Sequence, residues 1–322
     1  MQYGILLWPH MNNRYQDAIK PLGLSELSLV LGDADVAPRH ESIAGVDAIC
    51  FESALSPDEI IPKLADLAHL YLLLQMNADG SFIPLSSGRS PYLGADLPSV
   101  LKYKGKTNEV FTHYLINMAL YASAFADAPV RLKLIDPMCG RATALFDAVN
   151  RGWDAFGADL DRADIHEADV FFKRYLTFHK FKHTTKEMSM TLKGKRSLLR
   201  KQFRFANAPE AFKAGDMPEL SLICADAADA LSAFPRKSFH LAVMDLPYGV
   251  QHSAATRGKP ESVEKLLSRV LPALRESLLP GGAVAISFNV HNLPLTQARA
   301  LLSDAGFDVM QGGAFDGLSH WV

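Results

Sequence analysis

Cysteine is scarce. The 322 residues hold three, Cys50, Cys139 and Cys224, with no paired spacing between them. That excludes a disulfide framework and a cysteine-based structural zinc site. The eleven histidines include no HExxH, so a catalytic metal is not expected. No apolar run approaches the ~18 residues of a membrane span. The first ten residues lack a basic n-region, so a secretory signal is not expected either. Low-complexity tracts and long repeats are missing as well. Charge of one sign is also lacking overall: 33 basic against 35 acidic residues give a net −2. What is present is 48% hydrophobic and 21% charged residues, the balance of a folded globular chain of about two domains. The expectation is a reduced, cytoplasmic protein without a membrane partner.

The neutral total hides a local excess. Within residues 170–204 lie Lys173, Arg174, Lys180, Lys182, Lys186, Lys193, Lys195, Arg196, Arg200, Lys201 and Arg204, against the single acid Glu187. This segment carries +10, and the remaining 22 basic and 34 acidic residues carry −12. Phe171, Phe172, Tyr175, Phe178, Phe181, Phe203 and Phe205 are interleaved with the cations. Cations that release counterions from phosphates, beside aromatics that stack on bases, suit a nucleic acid. The alternative is a solvated amphipathic helix whose aromatics face the core.

Along the chain, the first ~77 residues read as βαββαβ. The strands are Tyr3–Trp8, Ser25–Leu31, Val46–Phe51 and Leu70–Gln75, and the helices are Asn12–Leu22 and Pro57–Ala68. This predicts a small ferredoxin-like α+β domain over 1–77. Residues 78–99, rich in Ser, Gly and Pro, read as a linker. From Val100 to Val322 strands alternate with helices: Val130–Ile135, Trp153–Ala158, Leu220–Cys224, Leu241–Met244, Ala283–Phe288 and Phe307–Met310, with another from Gly313–Val322. The pattern predicts an α/β, doubly wound sheet with a basic insertion at 170–204.

Three successive strands end in acids. The first runs into Asp136-Pro137-Met138-Cys139-Gly140-Arg141-Ala142-Thr143 and then a helix. A glycine turn before a helix N-terminus allows close ligand approach, outside the carboxyl ends of the strands. The second ends at Asp159-Leu160-Asp161, placing Asp159 to accept from ribose hydroxyls. The third ends at Cys224-Ala225-Asp226-Ala227, where Asp226 can accept from an adenine amine and the Ala227 amide can donate to the ring. The run after Gly140 is no GxGxxG. Gly105-Lys106-Thr107 is no P-loop, because position 100 is Val where glycine is required. Capping or turn roles remain open for these aspartates.

The fourth strand ends in Asp245-Leu246-Pro247-Tyr248. This tetrad resembles the (Asp/Asn)-Pro-Pro-(Tyr/Phe) motif of class I S-adenosylmethionine-dependent methyltransferases acting on exocyclic base amines. Asp136–Arg141 resembles the cofactor motif of the THUMP-associated tRNA guanine-N2 methyltransferases. Tyr103-Lys104-Gly105-Lys106-Thr107-Asn108 resembles a segment of the same proteins that closes the methionine end of the cofactor. The likeness spans about Val100 to Val322 and implies a Rossmann-like methyltransferase sheet.

It also implies roles. Asp245 and the Leu246 carbonyl would hold the amine hydrogens so that its lone pair meets the methyl group. Pro247 would fix the turn and Tyr248 would stack on an extruded base. Lys106, Thr107, Asn108, Asp136, Pro137, Met138, Cys139, Gly140, Thr143, Asp159, Leu160, Asp226 and Ala227 would line the S-adenosylmethionine site. RNA, tRNA in particular, would lie on Lys173, Arg174, Lys180, Lys182, Lys193, Lys195, Arg196, Arg200, Lys201 and Arg204. Leu246 stands in place of the motif's first proline, and Ala142 in place of a second glycine, where a positive φ would strain it. The rivals are adenine-N6 methylation of DNA or RNA, and a non-catalytic RNA-binding module with a degenerate cofactor site. Cytosine-C5 chemistry lacks its cysteine near the fourth strand. Cys139 reads as a small packing residue, and His113 as structural.

Overall fold

The computed structural model describes residues 1–9, 13–32, 37–86, 88–103, 106–191, 197–246 and 261–315, with the backbone alone for 13–19. Two compact units emerge. One is built from Met1–Ser90 with residues from Met310 on, and the other from Pro91–Val309.

The first unit runs β1 (Gln2–Leu7), α1 (Asn13–Leu31), β2 (Arg39–Ile43), β3 (Val46–Glu52), α2 (Pro57–Leu64), β4 (Leu70–Met76) and β5 (Phe82–Ser86). Its antiparallel sheet has the order β2-β3-β1-β4-β5. The first four strands and two helices are a ferredoxin-like plait. Alternation along β1 turns Tyr3, Ile5 and Leu7 into one core with Leu27 of α1 and Ile60 and Leu64 of α2.

Two expectations change here. Ser25–Leu31 is not the second strand but the second half of α1. Leu24, Leu27 and Leu31 fall at helical spacing, and Glu26 is buried where it accepts from the Ala68 amide at 3.0 Å. The stretch read as a linker supplies β5, paired with β4, so it is not a free connection.

The second unit contains α3 (Leu97–Val100), α4 (Glu109–Tyr121), β6 (Lys133–Asp136), α5 (Thr143–Asn150), β7 (Asp154–Asp159), α6 (Arg162–Phe178), β8 (Lys182–Thr191) and β9 (Ser197–Ala206). It continues through α7 (Pro209–Ala214), β10 (Glu219–Cys224), α8 (Ala227–Ser232), β11 (Phe239–Asp245), α9 (Val263–Ser277), β12 (Leu278–Ser287) and α10 (Leu295–Asp304). The sheet order is β12-β11-β6-β7-β10-β9-β8. The first five of these are mutually parallel. They are wound outward in both directions from β6, so the order switches between β6 and β11. A crevice at that switch point is where an open α/β sheet binds ligand. Leu134, Leu145, Phe146, Ala155, Leu222 and Val243 fill the core on one side, and Ile135, Phe156, Ala242, Met244 and Leu271 fill it on the other.

Among the described residues the basic insertion is part helix and part sheet. It is the end of α6 followed by the β8–β9 hairpin, with β9 antiparallel to β10. Phe307–Met310, expected as a strand, pairs with none among the described residues. Phe307 packs with the α9–α10 core after Gly306, whose φ is +82°. Of Gly313–Val322, residues 313–315 form a single helical turn and 316–322 lie outside the described residues.

Candidate active site

The strand registers bring the acids to one level. Asp136 lies opposite Gly157, Asp159 opposite Cys224, and Ala242 opposite Ile135. Asp159, Cys224 and Asp245 therefore end their strands side by side at the carboxyl edge, with Asp136 just below them and across the switch point from Asp245.

The loop after β6 is folded onto β7. The Cys139 amide donates to the Ala158 carbonyl at 2.9 Å, and the Gly140 amide donates to Asp159 Oδ2 at 2.8 Å. Asp159 Oδ1 accepts from the Asp161 amide at 2.8 Å. Asp136 Oδ1 accepts from the Met138 amide at 3.0 Å. Close contact with β7 requires Gly157, since a Cβ there would come within 2.3 Å of Leu145 Cδ1 and 2.8 Å of Cys139 Sγ. Sequence reasoning missed this glycine, although a glycine inside a strand is itself the signal of a close approach. A Cβ on Gly140, by contrast, would meet no described residue within 4 Å. Thr143 opens α5, presenting its first amides to the same space.

Burial pushes the Asp136 carboxyl up to about 8, and the nearby Asp159 and Asp245 carboxylates add to the rise. Burial also raises Asp159, against the pull of its two backbone donors. Burial raises the Cys139 thiol well above its usual range, so it is a packed thiol rather than a nucleophile.

Ala142 takes φ +72° and ψ 26°, in the left-handed region. That conformation costs an alanine about 1–2 kcal/mol relative to glycine. Its methyl is fully buried in the core, a gain of about 0.8 kcal/mol. Glycine would also lose more chain entropy on folding, about 0.5–1 kcal/mol. These terms nearly cancel, so Ala142→Gly is expected to change unfolding free energy by less than about 1 kcal/mol. Urea denaturation measures this, and a gain of several kcal/mol would show that the loop is strained.

The segment before α4 ties the two halves of the site together. The Tyr103 hydroxyl lies 3.4 Å from Thr143 Oγ1, and the Arg141 guanidinium stacks over its ring at 4.5 Å. Arg141 also bonds Asp164 at 2.7 Å and pairs with Glu167. Lys106 reaches the Pro98 carbonyl at 2.6 Å and Glu109 at 2.5 Å. Asn108 caps α4, accepting from the Val110 amide at 2.8 Å. Lys106 and Asn108 thus fix the backbone on either side of Thr107, whose hydroxyl donates to Asp245 Oδ2. The Leu246 amide donates to the Ser287 carbonyl at 2.9 Å, extending the β11–β12 pairing past Asp245. Pro247 and Tyr248 lie outside the described residues.

Asp226 caps α8 through the Ala228 amide at 3.0 Å and pairs with Arg269. Burial raises its carboxyl, but the Arg269 hydrogen bond and charge more than offset this and leave it below the usual range. Ala227, the first residue of α8, and Leu160, half exposed, lie at the same edge. His113 binds Asp147 at 2.7 Å, and Asp147 binds Arg151 at 2.7 Å; this is a structural triad on α4 and α5.

The basic segment is sorted by the fold. Phe172, Phe203 and Phe205 are fully buried against one another, and Tyr175 is nearly so, so these aromatics are core rather than stacking platforms. Phe178 is the exception, at 81% exposure. Arg200 pairs with Glu219, and Lys201 with Asp169, which engages both cations internally. Lys173, Arg174, Lys180, Lys182, Lys186 and Arg204 are exposed. Lys193, Lys195 and Arg196 lie outside the described residues.

The order of the five parallel strands and the β6 loop define a Rossmann-like, doubly wound fold. No known family profile matches the chain, and no curated protein matches it. Solved structures similar to it include a SAM-dependent methyltransferase from Agrobacterium tumefaciens, at 14% identity and TM-score 0.40, covering 73% of this chain and 65% of that one. A precorrin-6y C5,15-methyltransferase from Geobacter metallireducens is similar at 14% identity and TM-score 0.38, covering 67% and 81%. A 16S rRNA N2 methyltransferase from T. thermophilus, solved with AdoMet and guanosine, is similar at 12% identity and TM-score 0.35, covering 90% and 56%. The chain thus spans just under two thirds of the first of these and about half of the last. No helix among the described residues is long and apolar enough to cross a membrane.

Proposed function

We propose that the protein transfers a methyl group from S-adenosylmethionine to an exocyclic base amine in RNA, with guanine N2 of tRNA as the target. The observation that carries this reading is the placement of Asp245. Its carboxylate stands at the carboxyl edge across the switch point from the Asp136–Ala142 loop, with one oxygen fixed by Thr107.

The residues fit the cofactor. Gly140 carries no side chain to obstruct it, and Asp136, Pro137, Met138, Cys139 and Thr143 surround the loop. Asp159 with Leu160, and Asp226 with Ala227, stand where ribose and adenine would lie. S-adenosylmethionine supplies an electrophilic methyl on a sulfonium. Transfer of that methyl to an amine nitrogen would release the thioether and one amine proton, which the Asp245 carboxylate would accept. Asp245 accepts an N–H hydrogen bond in line with this, and the Leu246 carbonyl accepts the second, so the lone pair faces the methyl. Alignment and preorganised acceptors supply the rate.

The test is labelled transfer to bulk tRNA and rRNA followed by nucleoside mass spectrometry, with N2-methylguanosine expected. Isothermal titration at millimolar S-adenosylmethionine with no binding would overturn the enzyme reading.

Asp136 makes cofactor uptake pH-dependent. Burial holds its carboxyl protonated up to about pH 8. A cofactor bearing sulfonium and ammonium charges favours the carboxylate, so binding expels a proton. Affinity is expected to rise up to about tenfold per pH unit below pH 8. For folding stability the sign is opposite. The native state holds more protons than the unfolded chain, whose aspartates titrate near 3.9, so this contribution to stability is lost as pH rises from there through 8. Titration in buffers of different ionisation enthalpy checks the proton release, and Asp136→Asn is expected to abolish it.

A further inference from the structure

The β8–β9 hairpin carries its exposed cations far from the methyl-transfer edge. Register places Thr184 opposite Arg204 and Lys186 opposite Gln202, with Lys182 at the start of β8. Alternation therefore puts Lys182, Lys186 and Arg204 on one face of the sheet. The opposite face carries Phe203 and Phe205, which are packed on Phe172 of α6. Toward the hairpin tip, the cationic face is covered where Leu198 and Met190 meet Ile223 and Ala230 of α8. Toward its other end it is open, and Lys182, Thr184, Lys186 and Arg204 are all exposed. Glu219 faces Arg204 across the ladder, but Arg200, Gln202 and Ser221 engage its carboxylate. Among the described residues none of the three cations makes an ion pair, and Arg204 donates only to the Met217 carbonyl at 3.4 Å.

Strand direction fixes where that face lies. β8 runs parallel to β10, so Lys182 sits near the amino edge and the hairpin tip at the carboxyl edge. Ser189, opposite Leu199, is level with Cys224, and hence with Asp245. From there Lys182 is seven residues back along the strand and five strands across. At about 3.4 Å per residue and about 4.8 Å per strand the separation along the sheet is about 34 Å.

We infer that Lys182, Lys186 and Arg204 form a distal phosphate-binding surface that holds a duplex stem of the RNA while its target base reaches Asp245. This rests on the proposed RNA methylation and narrows it. The substrate is a folded RNA whose helical arm spans that separation, not a free nucleotide or a short single strand.

The test compares total tRNA with a single-stranded heptanucleotide RNA containing guanosine. In filter binding, Lys182→Glu with Arg204→Glu is expected to weaken tRNA affinity at least tenfold and to lower the log–log salt slope by about 2. In transfer assays it raises KM for tRNA and leaves kcat, cofactor affinity and any activity on the heptanucleotide unchanged. Lys182→Ala with Arg204→Ala, matched to wild type by thermal melting, is expected to show the same direction with a smaller loss. Unchanged tRNA affinity and salt slope in both double variants would overturn the inference. So would a variant that only aggregates more, since lysines on an edge strand also block edge-to-edge pairing. Filter binding needs no methyl transfer. Wild-type tRNA binding that drops in the variants without any cofactor binding would sink the enzyme reading and leave the surface standing.

Discussion

Replacing Asp245 by alanine is expected to lower methyl transfer about 10³-fold while changing S-adenosylmethionine affinity by less than about threefold. The carboxylate ends β11 and accepts from the Thr107 hydroxyl. What the alanine removes is an acceptor for the amine. That acceptor is preorganised: Lys106 and Asn108 immobilise Thr107, and the Leu246 amide is held by Ser287. Asp245→Asn keeps the shape but turns one acceptor oxygen into a donor, so a loss of about 10²-fold is expected. Single-turnover transfer of labelled methyl to tRNA, beside calorimetric cofactor binding, separates the two effects. A fully active alanine variant would remove Asp245 from the chemistry. Cofactor binding lost in parallel with transfer would place it in the cofactor site.

The strand ends are legible in the sequence because an acid or a glycine breaks an apolar run at each of them. Leu241–Met244 is uniformly apolar, and Leu132–Ile135 and Leu220–Cys224 are interrupted only by Lys133 and Ser221, the pattern of a sheet covered on both faces. The hairpin is much less legible. Lys182–Thr191 alternates polar residues with two methionines and offers no apolar face of its own, because β8 is an edge strand whose neighbours do the burying. The aromatics of 170–205 were ambiguous for a related reason. Phe172 on α6 and Phe203 and Phe205 on β9 meet only through tertiary packing, and nothing local distinguishes that cluster from a stacking surface. Ser25–Leu31 illustrates the third limit: a short apolar run fits both periods until Glu26 finds its buried partner on the chain near Ala68. Thr107 and Arg269 carry their site contacts through residues 138 and 43 positions away, separations no motif encodes.

Gly157→Val is expected to be the most damaging substitution that touches no proposed reacting group. In β7 this position faces the floor of the Cys139 loop, and even a Cβ would lie within 3.1 Å of both Cys139 side-chain atoms. The Leu145 methyl, at 2.3 Å, can rotate away, but α5 and the neighbouring core leave it little room. Overpacking of this kind costs about 1–3 kcal/mol for a modest excess of volume, and a branched residue doubles the intrusion. The loop cannot simply lift, because the Cys139 and Gly140 amides would then lose the Ala158 carbonyl and the Asp159 carboxylate. A bond to a charged acceptor alone contributes about 1.5–3 kcal/mol. Either response disturbs the site: the core yields and the protein melts earlier, or the loop yields and the cofactor loses its cradle. The expected result is a drop in unfolding free energy of at least about 2 kcal/mol together with S-adenosylmethionine affinity lower by about 10²-fold. Urea titration and calorimetry on one preparation read both. Gly157→Ala, with only the Cβ to place, is expected to show the same pair of losses at about half the free energy. A valine variant with unchanged stability and unchanged cofactor affinity would mean that β7 and the Cys139 loop are not in contact as described.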